Sequence, residues 1–424
     1  MHYPQVRSNL RKGFIESLLS VPYVQIVQPT HFLIAAVATQ HFHVSSGIFG
    51  AIVAIPAWMN IVQLFFVPAF DGRVSARVLS LSAQLLDLLV WIFVVATLYR
   101  LPPIPTIAGI YFLVVFALSN TGRAVNRIAW ISWAKEYVPG SVRNNYFARR
   151  AAAAKVVELA IIALVVPALA RFTTVATYHH FLAVGVGLKT ICLLLQITIR
   201  TPAVVPLSAP AVPARIYLPS RWPALFRQGG AFTTFAVLTA IQAAFDSVAG
   251  GFSHLYVFGP LGLSASTAGM FLLINTAVMA ATLPAWGRFA VRFGTSRLLG
   301  ICAVCIGLNR IAWALIHEGN VVWLYLVVAW QGLFSAGFGL ALMTLRLRLL
   351  PLSRKETLLS FELALSSVLT GAAPLLFGQI LDWHGGSALV YRVGFAVSAL
   401  GSLGVGIYVI MKCANWEKPQ PLAR

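Results

Sequence analysis

Twelve apolar stretches of 19 to 27 residues run through this 424-residue chain. An α-helix needs about 20 apolar residues to cross a hydrocarbon layer about 30 Å thick. The pattern therefore predicts an all-α integral membrane protein with twelve transmembrane helices. The predicted helices cover residues 17–41, 47–69, 78–99, 104–128, 152–170, 177–199, 231–257, 264–286, 298–316, 321–345, 358–381 and 388–411.

Lysine and arginine are concentrated in every second gap between these stretches. When the N-terminus is assigned to the cytoplasm, 25 of the 31 basic residues lie on the cytoplasmic side and three lie on the outer side. Cytoplasmic loops of membrane proteins carry an excess of lysine and arginine. The bias predicts a multi-pass protein of the plasma membrane with both termini in the cytoplasm.

A formal net charge of +20 would suggest a nucleic-acid partner in a soluble protein. Here 59% of the residues are hydrophobic, and the cations are spread over seven cytoplasmic segments that face an anionic lipid leaflet. We therefore expect a lipid bilayer around the chain and no bound nucleic acid. Cys302 and Cys305 have CxxC spacing, but apolar neighbours and the lack of further ligands favour packing over a metal or redox site. The sequence predicts no metal and no cofactor.

The widest gap, residues 200–230, is rich in proline, which prevents a continuous helix. We predict that this gap is a cytoplasmic linker between two bundles of six helices each. The N-terminal bundle is expected to cover residues 1–199, and the C-terminal bundle residues 231–424.

Two sequence matches relate these halves to each other. Val44–Gly50 matches Leu263–Gly269 at an offset of 219 residues. Tyr137–Pro139 matches Leu349–Pro351 at an offset of 212 residues. Similar offsets indicate an internal duplication. Because each half has an even number of helices, two pseudo-symmetric halves are expected in parallel orientation.

Two of the cytoplasmic gaps contain related loops. Residues 287–297 follow the pattern G-x-x-x-x-R-x-G-x-x-R, and residues 67–77 keep an aspartate and the last arginine at equivalent places. These loops and the twelve-helix layout resemble the major facilitator superfamily, whose loop pattern is G-x-x-x-D-R-x-G-x-x-R. The resemblance implies gate residues that latch the cytoplasmic side, with a role as topology signals alone as the alternative. The implied gate residues are Asp71, Arg77, Gly287, Arg292, Gly294 and Arg297.

The stretch from Trp130 to Arg150 is similar to the loop between helices 4 and 5 of a bacterial branch of the superfamily. The resemblance covers nearly the whole chain and implies a location in the bacterial inner membrane. It implies a monomeric secondary active transporter that moves a small-molecule substrate by alternating access, with H+ or Na+ as candidate coupling ion. It assigns no substrate.

Other classes of function have less support. The sequence has no GxxxxGKS phosphate loop and no HExxH or GxSxG motif, so neither ATP-driven transport by this chain nor enzyme activity is expected. Neither copy of the cytoplasmic loop has the complete pattern. A transport-incompetent relative that acts as a sensor, a scaffold or a lipid-handling protein is therefore the alternative.

Seven charged residues lie inside apolar stretches, where a charge costs at least about 2.5 kcal/mol at the helix centre. Asp246 is the strongest candidate, because the resemblance places its helix beside the central cavity. Gln242, four residues earlier, lies on the same face of this helix. We predict that both bind substrate or a coupling proton, with a structural hydrogen bond as the alternative. The seven residues are Asp87, Arg123, Glu158, Lys189, Asp246, Arg310 and Glu362.

Arg123 and Glu158 are expected in the cytoplasmic halves of adjacent helices, with Asn120 beside Arg123. They form either a structural ion pair or a substrate or proton site. Asp87 and Lys189 are expected to neutralise each other.

Two further charges are placed near helix ends. Arg310 is expected near the outer end of its helix, from which its side chain can reach the interface. Glu362 is expected near an inner end, within reach of Arg354 or Lys355.

Two polar groups complete the candidate site. Gln28 and His31 flank Pro29, which frees a backbone carbonyl at membrane depth. We predict a ligand-binding kink there, with ordinary packing of His31 as the alternative. Trp330 and Gln331 place an aromatic face beside an amide, which suits neutral polar solutes, although tryptophan also anchors ordinary helices at interfaces.

Overall fold

The computed structural model describes residues 3–70, 74–172, 174–199, 201, 230–349, 355–413 and 416. Every regular element in these residues is helical, which confirms the all-α prediction. The chain divides into two compact units, Met1–Arg215 and Ile216–Arg424. The predicted linker, residues 200–230, lies almost entirely outside the described residues, and so does Asp71 of the first cytoplasmic loop.

Ten helices in the described residues are long and apolar enough to cross a membrane. The predicted helices 17–41 and 47–69 are not among these ten. The first is broken into short pieces, and the apolar part of the second, as far as its side chains are described, is Ser46–Ile61.

The described part of the first unit contains eight α-helices, among which α5 packs against α6 and α8. They are α1 (Tyr3–Leu19), α2 (Val21–Ile26), α3 (Phe32–Ala36), α4 (Ser46–Phe70), α5 (Ala76–Thr97), α6 (Pro105–Tyr137), α7 (Gly140–Arg171) and α8 (Thr174–Ile197).

The break in the first predicted membrane helix lies between α2 and α3, at Pro29. Proline has no N–H to continue a helix and disfavours helical conformation in the residue before it. The chain resumes at α3, where His31 is the N-cap and its Nδ1 accepts a hydrogen bond from the Leu33 N–H at 3.3 Å. The predicted kink at Pro29 is confirmed, and His31 has a capping role within it.

The described part of the second unit contains six α-helices and the short 3-10 helix Glu318–Trp323. Its core includes Phe232, Phe235, Leu298, Leu345 and Val409. The α-helices are α9 (Gly230–Phe258), α10 (Ala265–Phe293), α11 (Thr295–Leu315), α12 (Leu324–Leu349), α13 (Lys355–Trp383) and α14 (Ala388–Lys412).

Close contact between α11 and α14 depends on glycine. A Cβ atom on Gly307 would lie 3.0 Å from the Ala399 carbonyl oxygen, and one on Gly406 would lie 2.8 Å from the Gly300 oxygen. Only glycine lets two helix backbones approach this closely. The contact matters for function because Arg310 follows Gly307 by one helical turn and is carried against α14.

The turn that precedes α4 and the turn that precedes α10 have the same backbone structure. Ser45 and Ser264, which are 219 residues apart, each accept a hydrogen bond at 3.3 Å from the N–H three residues later. His43 and Gly262, at the same offset, both have positive φ, 52° and 60°. The sequence match between Val44–Gly50 and Leu263–Gly269 therefore extends to local conformation.

Candidate functional site

Asp246 of α9 forms an ion pair with Arg310 of α11 inside the second unit. Arg310 lies near the C-terminal end of α11, as expected, but the prediction that its side chain reaches the interface is wrong. Its side chain is only 6% exposed, because the glycine contact between α11 and α14 turns this face of α11 into the bundle.

Two further residues join this pair to α14. Arg310 Nη1 donates to the Ser398 carbonyl oxygen at 3.1 Å and to Ser402 Oγ. Gln242 Nε2 donates to Asp246 Oδ1 and to Ser402 Oγ, both at 3.1 Å. Within the described residues, the buried Gln242 Oε1 has no hydrogen-bond partner. The network fixes one oxygen of the Asp246 carboxylate and surrounds the guanidinium with acceptors.

A cavity of about 300 Å³ adjoins the pair. The Asp246 side chain is 40% exposed, whereas that of Arg310 is 6% exposed, so the carboxylate faces the cavity and the cation lies behind it. The cavity is lined by Asp246, Ala249, Gly250, Ser253, Ile306, Asn309, Arg310, Trp313, Gln331, Ser335, Phe338, Gly339 and Phe395.

Several hydrogen-bonding groups at this cavity are not used by the protein. Among the described residues, Asp246 Oδ2 and the side chains of Gln331 and Ser335 have no hydrogen-bond partner. Space is also left at two glycines, since a Cβ on Gly250 or Gly339 would meet no heavy atom within 4 Å. The cavity therefore has both room and free polar groups for a ligand.

Trp330 does not lie at this cavity. Its Nε1 donates to the Cys305 carbonyl oxygen at 3.0 Å, and the residue is 42% exposed. Its neighbour Gln331 points to the cavity instead, as adjacent residues on a helix face different directions.

Arg123 pairs with Asp87 in the first unit, so its predicted pairing with Glu158 is wrong. Arg123 Nε lies 3.3 Å from both carboxylate oxygens of Asp87. Ser119 Oγ donates to Asp87 Oδ1 at 2.6 Å and accepts from Trp91 Nε1 at 2.9 Å. The partner of Arg123 is thus on α5, which packs along the length of α6.

Arg123 also stabilises the break in the first membrane helix. Its Nη1 donates to the Val27 carbonyl oxygen at 3.3 Å. Val27 is the C-cap of α2, where carbonyls lack partners in the helix. A carbonyl without a helical partner in the break before Pro29 thus has an arginine partner.

Glu158 is paired within its own helix. Lys155 Nζ lies 2.6 Å from Glu158 Oε2, one turn away on α7. Both line a cleft of about 440 Å³ together with Arg150, which stacks on Trp130 at 4.5 Å and pairs with Glu16 at 3.0 Å.

One more expected pair differs from the structure, and another can be followed only at one of its partners. Lys189 does not neutralise Asp87, because its Nζ donates to Gln84 Oε1 at 2.6 Å while Asp87 is occupied by Arg123. Glu362 pairs with Arg346 at 2.7 Å. The side chains of Arg354 and Lys355, its predicted partners, lie outside the described residues.

The polar residues predicted around the first helix and α6 do not line the cavity beside Asp246. Gln28 lies in the break after α2, and His31 caps α3. Asn120 Nδ2 donates to the Phe116 carbonyl oxygen at 2.8 Å on its own helix.

The loop of residues 287–297 borders a cleft of about 640 Å³, which is lined by Gly287, Arg292, Gly294, Arg297 and other residues including Arg348. Gly294 joins α10 to α11 with φ of 97°, a conformation that favours glycine. Close packing does not require Gly287, since a Cβ there would meet no atom within 4 Å.

Of the two gate candidates in the loop of residues 67–77, Arg77 is the one that the structure describes. Its Nη2 donates to the Ile197 carbonyl oxygen at 2.6 Å. Ile197 ends α8, where carbonyls lack helical partners and a cation is favourable. This arginine therefore holds two helices of one unit together.

Ser398 and Ser402 are site residues that the sequence reasoning missed. Serine is common in membrane helices as a packing residue, so their type carried no signal. Their spacing of four residues, which places them on one face of α14, was the only available sign.

Comparison with solved structures places this fold among membrane transporters. The chain is similar to the nucleoside transporter NupG (12% identity, 97% of this chain and 98% of that one, TM-score 0.67). It is similar to a D-xylose-proton symporter (14% identity, 94% and 97%, TM-score 0.69). It is also similar to a POT family transporter in complex with a thioalcohol conjugated peptide (10% identity, 98% and 100%, TM-score 0.72).

No protein-family model and no curated protein sequence matches the chain. At these identities the likeness concerns the fold. It confirms the transporter fold that the sequence resemblance implied and the multi-pass membrane architecture.

Proposed function

We propose that this chain is a secondary active transporter that moves a small solute across the membrane by alternating access, with its solute site at the cavity beside Asp246. The observation that carries the proposal is the half-exposed Asp246 carboxylate at the wall of a cavity of about 300 Å³, paired with a buried arginine. The fold shared with nucleoside, D-xylose and peptide transporters supports it.

The argument for a site depends on the cost of polar groups in a membrane. Among apolar helices, a polar group without a hydrogen-bond partner is costly. A carboxylate oxygen that is left without a partner at a cavity does not stabilise the helix packing. Intramembrane ionisable residues that face a cavity mark substrate or ion pathways in general. Asp246 and Gln242 are therefore proposed as solute or proton ligands, with Gln331 beside them.

The proposed architecture has twelve membrane helices in two pseudo-symmetric halves, residues 1–199 and 231–424, joined by a cytoplasmic linker. The matched turns at Ser45 and Ser264 support the duplication. In such folds two repeats rock about a site near the midplane. We place both termini in the cytoplasm of a bacterial inner membrane on the basis of the lysine and arginine bias.

Proton coupling is part of the proposal. We propose Asp246 as the carrier of the coupling proton because its side chain is 40% exposed at the cavity, and one similar structure is a D-xylose-proton symporter by its name. Arg123, Asn120, Glu158, Gln28, His31 and Trp330 stay secondary candidates for solute contact. The loop residues Asp71, Arg77, Gly287, Arg292, Gly294 and Arg297 stay proposed gate elements.

The proposal is tested in proteoliposomes that contain the purified protein. Labelled pentoses, hexoses, nucleosides, amino acids and dipeptides are offered with and without an inward proton gradient. We expect one of them to accumulate above its external concentration when the gradient is imposed. Binding of one solute by the purified protein without any exchange across the membrane contradicts transport and favours a sensor or scaffold.

A further inference from the structure

We infer that the cavity beside Asp246 takes a compact, electrically neutral solute that carries hydroxyl or amide hydrogens, and that Asp246 Oδ2, Gln331 and Ser335 recognise it. The inference rests on the proposed function in that it takes this cavity as the solute site. It adds the chemical class of the ligand and the residues that select it.

The charged residues that line the cavity favour a neutral ligand. The residues that line the cavity include one acid and one base, Asp246 and Arg310, and these two are paired. A cationic ligand at Asp246 would also meet the field of Arg310, so its attraction is largely cancelled. The two charges therefore leave no net charge for a ligand to neutralise.

An anionic ligand has no free cationic donor to bind. The Arg310 side chain is 6% exposed, and its two terminal nitrogens are directed at Asp246, Ser402 and the Ser398 carbonyl. An anion would have to displace the Asp246 carboxylate from this position. The guanidinium therefore orients the carboxylate and does not serve as an anion receptor.

The free polar groups specify hydrogen bonds. An ionised carboxylate oxygen only accepts, so Asp246 Oδ2 requires a donor on the ligand. Gln331 and Ser335 both donate and accept, and they lie one helical turn apart on α12. A ligand that lacks the matching hydroxyl or amide leaves these groups without hydrogen-bond partners. The site therefore binds such a ligand much more weakly.

Size and shape limit the ligand further. A volume of about 300 Å³ corresponds to roughly ten water molecules at about 30 Å³ each. This is the lower end of ligand pockets, about 300 to 1,000 Å³, and excludes long chains. Phe338 and Phe395 add aromatic surface against which the apolar face of a ring can pack.

The inference is tested by binding to the purified protein, measured by calorimetry and by the shift of its melting temperature. The probes are three sets of similar size that differ in charge. The neutral set is D-xylose, D-glucose and uridine, the cationic probe is D-glucosamine, and the anionic probes are D-gluconate and uridine 5′-phosphate. We expect at least one neutral probe to bind and the charged counterparts to bind at least about tenfold more weakly. A charged probe as the tightest ligand, or no binding by any probe, overturns the inference.

Variants locate the binding. Gly250→Leu fills the cavity from a position where an added Cβ meets no atom within 4 Å, so the fold is retained and binding is expected to be lost. Gly404→Leu is the matched control, since its Cβ also meets open space but Gly404 does not line the cavity. Gln331→Leu and Ser335→Ala are each expected to weaken the neutral probe about tenfold. Unchanged binding in Gly250→Leu overturns the assignment.

The outcomes separate this inference from the proposed function. A neutral probe that binds in this cavity but is not transported in proteoliposomes contradicts transport and leaves the ligand class standing. Transport of a charged solute in preference to its neutral counterpart supports transport and overturns the ligand class.

Discussion

The Asp87–Arg123 pair of the first unit and the Asp246–Arg310 pair of the second join the same side-chain types, but they use the carboxylate differently. Both oxygens of Asp87 accept hydrogen bonds, from Arg123 and Ser119, and its side chain is 6% exposed. Asp246 uses Oδ1 alone among the described residues, and its side chain is 40% exposed.

The glycines beside each pair show the same contrast. A Cβ on Gly122, next to Arg123, would lie 2.7 Å from the Ala83 carbonyl oxygen and 3.4 Å from the Asp87 nitrogen. A Cβ on Gly250, one turn after Asp246, would meet no atom within 4 Å. The first pair is enclosed by packed backbone, whereas the second faces open space.

The comparison teaches that an intramembrane ion pair is not by itself a sign of function. A pair such as Asp87–Arg123 joins helices and uses both oxygens of its carboxylate, although Arg123 Nη2 has no hydrogen-bond partner among the described residues. A pair with one free oxygen at a cavity, such as Asp246–Arg310, retains hydrogen-bonding capacity. The two roles differ in how many of the carboxylate oxygens accept hydrogen bonds from the protein itself.

The largest expected effect is on stability, at the closed pair. Asp87→Leu should lower the free energy of unfolding by about 3 kcal/mol, because it leaves the partly buried Arg123 without its counterion. The double variant Asp87→Leu with Arg123→Leu should recover at least half of this loss, since an apolar pair removes the uncompensated charge. Unfolding in a denaturing detergent series measures both, and a single variant as stable as the unaltered protein means that the pair is not structural.

A smaller effect is expected at the two glycines. Gly122→Ala should destabilise the protein by about 1 to 3 kcal/mol, because the methyl group overlaps the backbone of α5. Gly250→Ala should be neutral or stabilising by up to about 1 kcal/mol, since alanine favours a helix and the added methyl group meets no obstacle. Melting temperatures of the two purified variants measure this difference. If both melting temperatures shift in the same direction by similar amounts, the two glycines do not differ in the way that we infer.

Much of the fold could be predicted from the sequence, because hydrocarbon thickness sets helix length and apolar stretches mark it directly. The break at Pro29 followed from the chemistry of proline, and the match at an offset of 219 extended to the positive φ of His43 and Gly262. Asp246 was singled out by its depth and by the polar face it shares with Gln242.

The partners of the charges could not be predicted in the same way. In a membrane helix both the lipid-facing and the packed sides are apolar, so periodicity does not reveal which way a side chain points. Counting depth placed Arg310 near an outer end, but its pairing with Asp246 depends on how Gly307 brings α11 against α14. Arg123 was assigned to Glu158 for the same reason, although Asp87 lies on the helix that packs along it.

Thiol labelling tests whether the second pair faces a cavity that solvent reaches and the first pair does not. In a background in which Cys192, Cys302, Cys305 and Cys413 are replaced, Ser335→Cys and Ser119→Cys are exposed to a charged, water-soluble methanethiosulfonate reagent. We expect Ser335→Cys to react at least about tenfold faster, since thiol reactivity follows exposure and Ser119 is fully buried beside Asp87. Bound neutral solute should slow labelling at position 335. Equal labelling rates at the two positions, or faster labelling at position 119, would contradict the account.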